Sequence, residues 1–138
     1  MKLNLGIAVA GAALVLGALP VMAHHSFAAE FDANKPVNLS GTVTKVEWLN
    51  PHIWIYLQAK DENGKVAQWQ CEGGAPNSLV RNGWTKESLK AGDTITIQGS
   101  LAKDATNTCN ASQVKLADGR RLFAGSAEGE GGSKGGKQ

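Results

Sequence analysis

The feature that most constrains the fold of this chain is a series of five segments in which apolar and polar residues alternate. In the clearest segment, residues 52–59, every second side chain is apolar. These side chains are Ile53, Ile55, Leu57 and Ala59. Because successive side chains of a strand point to opposite faces, the pattern predicts a strand whose apolar face is buried.

The five predicted strands are separated by turn residues and interrupted once by a short helix. The strands are residues 37–48, 52–59, 66–72, 94–100 and 111–116. Between the third and fourth strands, Asn77 can cap a short helix that ends before Gly83. In the first strand the alternation slips phase beyond Gly41, which indicates a bulge that bends a long strand.

This order of elements predicts an all-β fold, a small five-stranded OB-like barrel with a short helical connection between strands 3 and 4. Open strand edges promote aggregation, and closing a sheet into a barrel removes those edges. A two-sheet sandwich is the alternative fold, but a sandwich usually needs about seven strands.

Residues 1–23 have the composition of a signal peptide for export. Lys2 is followed by an uncharged apolar run at residues 5–19, then by Pro20 and the short side chain of Ala23. We therefore expect cleavage after Ala23 and a periplasmic mature protein without a membrane span. An uncleaved anchor is the alternative, but an apolar run of about 15 residues is shorter than the roughly 20 that span a bilayer.

Composition divides the mature chain into one domain and a tail. Residues 24–124 are predicted to form the domain. Residues 125–138 are rich in Gly, Ser, Lys and Glu, lack large apolar residues, and are predicted to be disordered. Without Lys2 the chain carries 13 basic against 12 acidic side chains, which argues against nucleic acid as a partner.

The two cysteines, Cys71 and Cys109, form an even pair in a chain bound for an oxidising compartment. Such a pair favours a disulfide. The alternative is a thiol metal site or a redox pair, against which their wide separation and the absence of C-x-x-C spacing argue.

A set of short motifs is spread over residues 24–124. They are His24-His25-Ser26-Phe27, Gly41-Thr42-Val43, Trp48-Leu49-Asn50-Pro51-His52-Ile53, Glu72-Gly73-Gly74, Gly83-Trp84-Thr85, residues 89–93 and Ala117-Asp118-Gly119-Arg120-Arg121. In these motifs the chain resembles a family of small exported bacterial proteins whose domain has no assigned function. The resemblance implies an OB-like fold but no activity. Cys71 and Cys109 depart from the family pattern, which fits a disulfide particular to this chain.

The histidines are candidate metal ligands. Cleavage after Ala23 makes His24 the first residue and His25 the second, and the only other histidine is His52. The amine and a ring nitrogen of His24 can chelate a metal ion, and a nitrogen from His52 or His25 completes a set suited to copper. The alternative is two solvated histidines at a frayed terminus and a His52 that is hydrogen-bonded in a turn.

Aromatic residues form a second candidate site. Trp54 and Tyr56 share the strand face opposite the predicted core, and Trp48 precedes the turn. In OB-folds this region is the usual ligand surface, which suggests a module that binds a glycan, a peptide or an envelope protein. The alternative is that Trp54 packs beneath the amino-terminal segment. Trp69 and Trp84 are expected to be core or helix-packing residues.

No catalytic motif is recognisable in the sequence. Glu47 and Glu72 could pair as catalytic carboxylates, but surface positions are expected for both. Residues 131–137 match the spacing of a phosphate-binding loop without its Ser or Thr and without a flanking strand and helix. The sequence therefore predicts a non-catalytic exported protein that binds a metal ion, with copper as the candidate, or a small ligand or envelope protein.

Overall fold

The computed structural model describes residues 26–125 of the chain. The elements are α1 (Phe27–Glu30), β1 (Phe31–Glu47), β2 (Trp54–Lys60), β3 (Val66–Glu72), α2 (Pro76–Arg81), β4 (Thr94–Ala102), β5 (Thr108–Leu116) and β6 (Arg121–Phe123). The predicted all-β class and the short helix between strands 3 and 4 are confirmed, but the helix begins at Pro76 with Ala75, not the predicted Asn77, at its N-cap. Neither helix of this part of the chain is long and apolar enough to cross a bilayer. The predicted signal peptide, His24, His25 and the tail beyond Gly125 lie outside the described residues.

The strands form one six-stranded sheet in the order β3-β2-β1-β4-β5-β6. Neighbours in this order are antiparallel, and β5 also pairs in parallel with β3 through residues 108–110. Each of the strands β1 to β5 therefore has a strand on both sides. The sixth strand, β6, pairs with residues 113–115 of β5. It was not among the five predicted strands, because three residues are too few for alternation to identify a strand.

The first strand, β1, begins six residues earlier than its alternating pattern predicts. Phe31 and Asp32 pair with Ala102 and Leu101 of β4, and a register shift separates these pairs from the rest of the ladder. Residues 33–36 interrupt the alternation, so the alternating pattern begins later in the chain than the strand does. Pairing with β4 decides where β1 starts.

The predicted bulge in β1 is confirmed as a register shift between Val43 and Lys45. Val43 itself still pairs with Leu57 of β2, and on its other side its nitrogen donates to the Asp93 oxygen at 2.9 Å and its oxygen accepts from the Gly92 nitrogen at 2.8 Å. Because the bulge changes the phase of β1, Lys45 and Glu47 lie on the outer face of the sheet.

The predicted core face of β2 is confirmed. At most 1% of the surface is exposed in each of Ile53, Ile55, Leu57 and Ala59. Trp69 and Trp84 are also buried, as predicted. The indole nitrogen of Trp84 donates a hydrogen bond to the Phe123 carbonyl oxygen at 2.7 Å, so burial leaves this donor satisfied.

The predicted disulfide between Cys71 and Cys109 is present, with the two Cα atoms 4.5 Å apart. Both sulfurs belong to fully buried residues. The two cysteines face each other in the parallel β3–β5 pair, which contains only three residue pairs. The antiparallel series β3-β2-β1-β4-β5 begins with β3 and ends with β5, and these two strands also pair with each other. The disulfide links them covalently.

Candidate functional site

His52 lies in the connection between β1 and β2, next to the end of β3. It follows Pro51, whose preceding peptide bond is cis. The next residue, Ile53, accepts a hydrogen bond from the Gly73 nitrogen at 2.9 Å and donates one to the Gly74 oxygen at 3.1 Å. These backbone bonds hold His52 against the segment that follows β3.

Both ring nitrogens of His52 have polar partners. Nδ1 lies 2.9 Å from the Gly73 carbonyl oxygen, and because a carbonyl can only accept, Nδ1 carries the hydrogen. Nε2 lies 3.2 Å from Oε1 of Glu72. The His52 side chain is 25% exposed and that of Glu72 is 9% exposed, so the pair lies just below the surface. The structure shows the hydrogen-bonded His52 that was the alternative to a metal ligand.

Glu72 is buried, and the expected surface position is therefore wrong. It lies on the outer face of the sheet between Trp54, its partner in β2, and Asn110, its partner in β5. Only 6% of its surface is exposed. Sequence reasoning missed this burial because Asn110 is brought beside Glu72 only by the parallel pairing of β3 and β5.

Glu47 and Glu72, which the sequence offered as a possible catalytic pair, lie on opposite sides of Trp54. Glu47 of β1 and Glu72 of β3 are both cross-strand partners of Trp54 in β2. The indole, which is half-buried, stands between them. Glu47 and Glu72 therefore belong to two different groups of side chains, and the structure brings together no catalytic carboxylate pair here.

The group on the β1 side joins Glu47, Lys45 and Tyr56. The Tyr56 hydroxyl donates to Oε2 of Glu47 at 2.9 Å, and the Lys45 ammonium forms an ion pair with the same carboxylate. The ammonium also lies 5.4 Å from the centre of the Tyr56 ring. Lys45 and the Tyr56 hydroxyl lower the pKa of Glu47. The hydrogen bond to this carboxylate, together with burial, raises the pKa of Tyr56.

We expect Glu47→Gln to lower the pKa of Tyr56 toward its ordinary value of about 10. The amide accepts a weaker hydrogen bond and removes the negative charge that opposes ionisation, while Lys45 stays nearby and favours the phenolate. Tyr56 is the only tyrosine, so an ultraviolet titration of tyrosinate absorbance reports on it alone. The matched control is Glu62→Gln, in the exposed turn between β2 and β3, which should leave the titration unchanged. An unchanged curve for Glu47→Gln would contradict the assignment.

The three aromatic residues of the second candidate site do not form one stacking surface. Trp54 and Tyr56 share a half-buried outer face of β2. Trp48 instead packs against the core beside Trp84, with the ring centres 6.3 Å apart and the planes at 70°. Since Lys45 covers part of the Tyr56 ring, Trp54 is the aromatic side chain of this face with the fewest polar partners.

Two side chains of types that can bind metal ions in proteins, His52 and Glu72, meet at the end of β3. Within residues 26–125 there is no cluster of three or more His, Cys, Asp or Glu side chains able to hold a metal ion. His24 and His25 precede this part of the chain. A third His, Cys, Asp or Glu ligand beside His52 and Glu72 would therefore have to come from outside the described residues.

Comparison with known proteins places the chain in a family. The model of a group described as "Family of unknown function (DUF6152)" matches residues 12–111, more than half of the 138 residues. The chain belongs to DUF6152. The predicted family membership is thereby confirmed, and the family's description assigns no activity. Neither a curated protein nor a solved structure matches the chain.

Two of the motifs quoted above meet in this DUF6152 protein. The segment at residues 48–53 and the segment at residues 72–74 are joined by the backbone bonds of Ile53 and by both ring nitrogens of His52. A methyl group on Gly73 would lie 2.7 Å from Cγ1 of Ile53, and one on Gly74 would lie 2.5 Å from the Gly125 oxygen. Gly73 therefore permits the close approach of Ile53 that brings His52 to Glu72, and Gly74 permits the close approach of Gly125.

Proposed function

We propose that this DUF6152 protein is exported to the periplasm, is cleaved after Ala23, and acts as a non-catalytic protein that binds copper. In this proposal the amine and imidazole of His24 chelate the ion, and His52 supplies the third nitrogen. His25 is the alternative third ligand. The export step agrees with the disulfide, because disulfides persist in oxidising compartments.

The observation that carries the proposal is the hydrogen bonding of His52. Histidines that bind metals usually donate their other ring N–H to a carboxylate or a backbone carbonyl, which fixes the orientation of the ring. The Nδ1 of His52 has this role toward the Gly73 oxygen, at 2.9 Å. The nitrogen that would bind the metal ion is Nε2, which lies 3.2 Å from Oε1 of Glu72 on a side chain that is 25% exposed.

The reach of the amino-terminal segment supports the pairing of His24 with His52. Asp32 pairs with Leu101, and the strands β4, β5 and β3 are then neighbours in turn. Three strand spacings of about 4.8 Å therefore separate the start of β1 from Glu72, which amounts to about 14 Å. Residues 24–30 can span roughly 16 Å with α1 kept helical. The length of the segment is therefore compatible with a contact between His24 and the end of β3, beside which His52 lies.

The proposal is tested on protein purified from the periplasm without an amino-terminal tag. Mass spectrometry should find His24 as the first residue. Isothermal titration with Cu(II) should then show that four added residues, Gly-Ser-Gly-Ser, before His24 weaken binding by roughly 100-fold, because the amine is moved away from the first imidazole. The matched control carries the same four residues after Gln138. A different first residue, or equal affinity of the two extended proteins, would refute the copper site.

A second candidate function is the binding of a glycan, a peptide or an envelope protein on the outer face of β2. The half-buried Trp54 favours it. The packing of Trp48 and the contact of Lys45 with Tyr56 weaken it, because they occupy two of the three aromatic rings. A tryptophan fluorescence response to cell-wall sugars, with none to Cu(II), would favour this function over copper binding.

A further inference from the structure

The outer face of β4, β5 and β6 carries an open depression that lies apart from the two candidate sites described above. Its lining consists of five polar side chains, Thr96, Gln98, Gln113, Lys115 and Arg121. Its volume is about 220 Å³, counted together with the solvent at its mouth. Pockets for drug-sized ligands measure roughly 300 to 1,000 Å³, so this depression fits a smaller polar unit.

The strand register places these five side chains in two adjacent rows. In the first row, Thr96 of β4 pairs with Lys115 of β5, which pairs in turn with Arg121 of β6. In the second row, Gln98 of β4 pairs with Gln113 of β5. The residues that alternate with them in β4 and β5 are buried, so both rows face away from the core.

Lys115 and Arg121 are neighbouring positive charges without a carboxylate partner. Directly opposite residues of an antiparallel pair have Cβ atoms about 4.5 to 5.5 Å apart, and like charges at such positions are destabilising. Within residues 26–125 neither side chain forms an ion pair. Arg120 differs, because its Nε lies 2.7 Å from Oδ2 of Asp118. An anion bound between Lys115 and Arg121 would remove their mutual repulsion.

The remaining three side chains indicate what the ligand carries besides its negative charge. The hydroxyl of Thr96 and the amides of Gln98 and Gln113 are neutral, and each can both donate and accept hydrogen bonds. The Thr96 hydroxyl lies 3.0 Å from the Ser40 hydroxyl. In the part of the chain that the structure describes, the two amide groups have no hydrogen-bond partner. Groups of this kind match the hydroxyls of a sugar ring.

The surroundings of the depression argue against two other anionic partners. Among the described residues, the exposed large apolar side chains are Leu49, Val66 and Val80, and none of them lies on β4, β5 or β6. A surface that docks on lipid headgroups usually also inserts apolar side chains. Nucleic acid is bound through many phosphate contacts, whereas the depression contains only two cations. A single carboxylate fits better, because a guanidinium can bind it through two parallel hydrogen bonds.

We propose that this depression binds an acidic saccharide, meaning a sugar that carries a carboxyl group. Arg121 and Lys115 bind the carboxylate, while Thr96, Gln98 and Gln113 form hydrogen bonds with the ring hydroxyls. The inference does not depend on the proposed copper site, because the five lining residues include no histidine. It also differs from the second candidate function, which uses the aromatic face of β2.

The first test titrates the full-length exported protein, with its disulfide intact, at low ionic strength. The probes are trigalacturonic acid and its methyl ester, which keeps the sugar and removes the charge. In nuclear magnetic resonance spectra, the acid should shift the amide signals of the five lining residues and bind at least about 10-fold more tightly than the ester, because charge-assisted hydrogen bonds are the stronger ones. Equal affinity for acid and ester, or no shift at these residues, would overturn the inference.

A pair of double variants assigns the binding to the two cations. Lys115→Gln/Arg121→Gln should weaken binding of trigalacturonic acid by at least about 10-fold. The matched control, Lys60→Gln/Lys65→Gln, removes two cations beside the turn between β2 and β3 and should stay within about 2-fold of the wild type. All four side chains are exposed, so both variants should fold. An equal loss in both would reveal a general effect of net charge and would contradict a local site.

Inorganic phosphate separates a saccharide site from a simple anion site. Gln98→Ala/Gln113→Ala should weaken binding of trigalacturonic acid by about 5-fold, because the hydrogen bonds to the sugar hydroxyls are lost. The same variant should bind phosphate as the wild type does, since phosphate needs only the two cations. If it instead binds trigalacturonic acid as tightly as the wild type, the depression recognises an oxyanion only, and the assignment of a saccharide is overturned.

Discussion

Replacing both cysteines with alanine is expected to lower the free energy of unfolding by about 4 kcal/mol. Cys71 and Cys109 are 38 residues apart in sequence, and a crosslink over such a loop removes much of the freedom of the unfolded chain. The loss is large because domains of this size are stable by only about 5 to 15 kcal/mol. Urea denaturation followed by tryptophan fluorescence measures it.

Reduction of the wild-type disulfide serves as the matched comparison for the double variant. The reduced wild type keeps both sulfur atoms in the core, so it should lose nearly as much stability as Cys71→Ala/Cys109→Ala without creating a cavity. Since β3 and β5 share only three residue pairs, hydrogen exchange should rise first at residues 70–72 and 108–110. A loss below about 1 kcal/mol in both proteins would contradict a stabilising role of the disulfide.

This dependence links folding to the proposed export. A chain held in a reducing compartment would lack the covalent link between β3 and β5 and would reach full stability only after oxidation. The same link holds Glu72, the neighbour of Cys71, and Asn110, the neighbour of Cys109, side by side. We therefore expect the oxidised protein to hold Glu72 and Asn110 side by side more firmly than the reduced protein does.

Replacing Gly41 with alanine is expected to lower the free energy of unfolding by more than about 3 kcal/mol. A methyl group at this position would lie 2.0 Å from the Gln58 carbonyl oxygen and 2.6 Å from Cα of Ala59. Both contacts are with backbone, so a change of side-chain rotamer cannot relieve them. Gly41 also pairs with Ile95 on its other side, which limits how far β1 can move away.

Thr42→Ala is the matched control, because Thr42 is the next residue of β1 and its side chain is exposed. It changes only the local preference for a strand and should cost less than about 1 kcal/mol. Thermal or urea unfolding of the two variants, measured side by side, compares the backbone contact with the general effect of an alanine in β1. Equal stabilities of Gly41→Ala and Thr42→Ala would show that β1 can shift at Gly41. The close approach of the β2 backbone to Gly41 would then not contribute to the free energy of unfolding.

Much of the fold could be predicted from local sequence patterns. The alternation in residues 52–59 identified the buried face of β2, and the phase slip beyond Gly41 identified the bulge of β1. The even pair of cysteines in a chain predicted to be exported predicted the disulfide. These features are accessible because side-chain periodicity is a property of neighbouring residues, and because the cysteine count restricts the pairing to one possibility.

Only part of the candidate site could be predicted from local sequence patterns. His52 was identified as a candidate ligand because it is one of three histidines, and its turn follows from the adjacent proline. Glu72 was expected on the surface, since it ends an alternating strand and carries a charge. Its burial depends on Trp54 from β2 and on Asn110 from β5, and no local pattern contains both neighbours.

The sequence alone determined the approximate positions of five of the six strands, the apolar face of β2, which cysteines pair and which family the chain resembles. Only the tertiary structure decided that β1 starts at Phe31, that Trp48 packs on Trp84, and that His52 faces Glu72. The physical reason is that periodicity is set by the geometry of a single strand. The environment of a side chain is set by which strands become neighbours. Here the short parallel pairing of β3 with β5 determines the neighbours of Glu72.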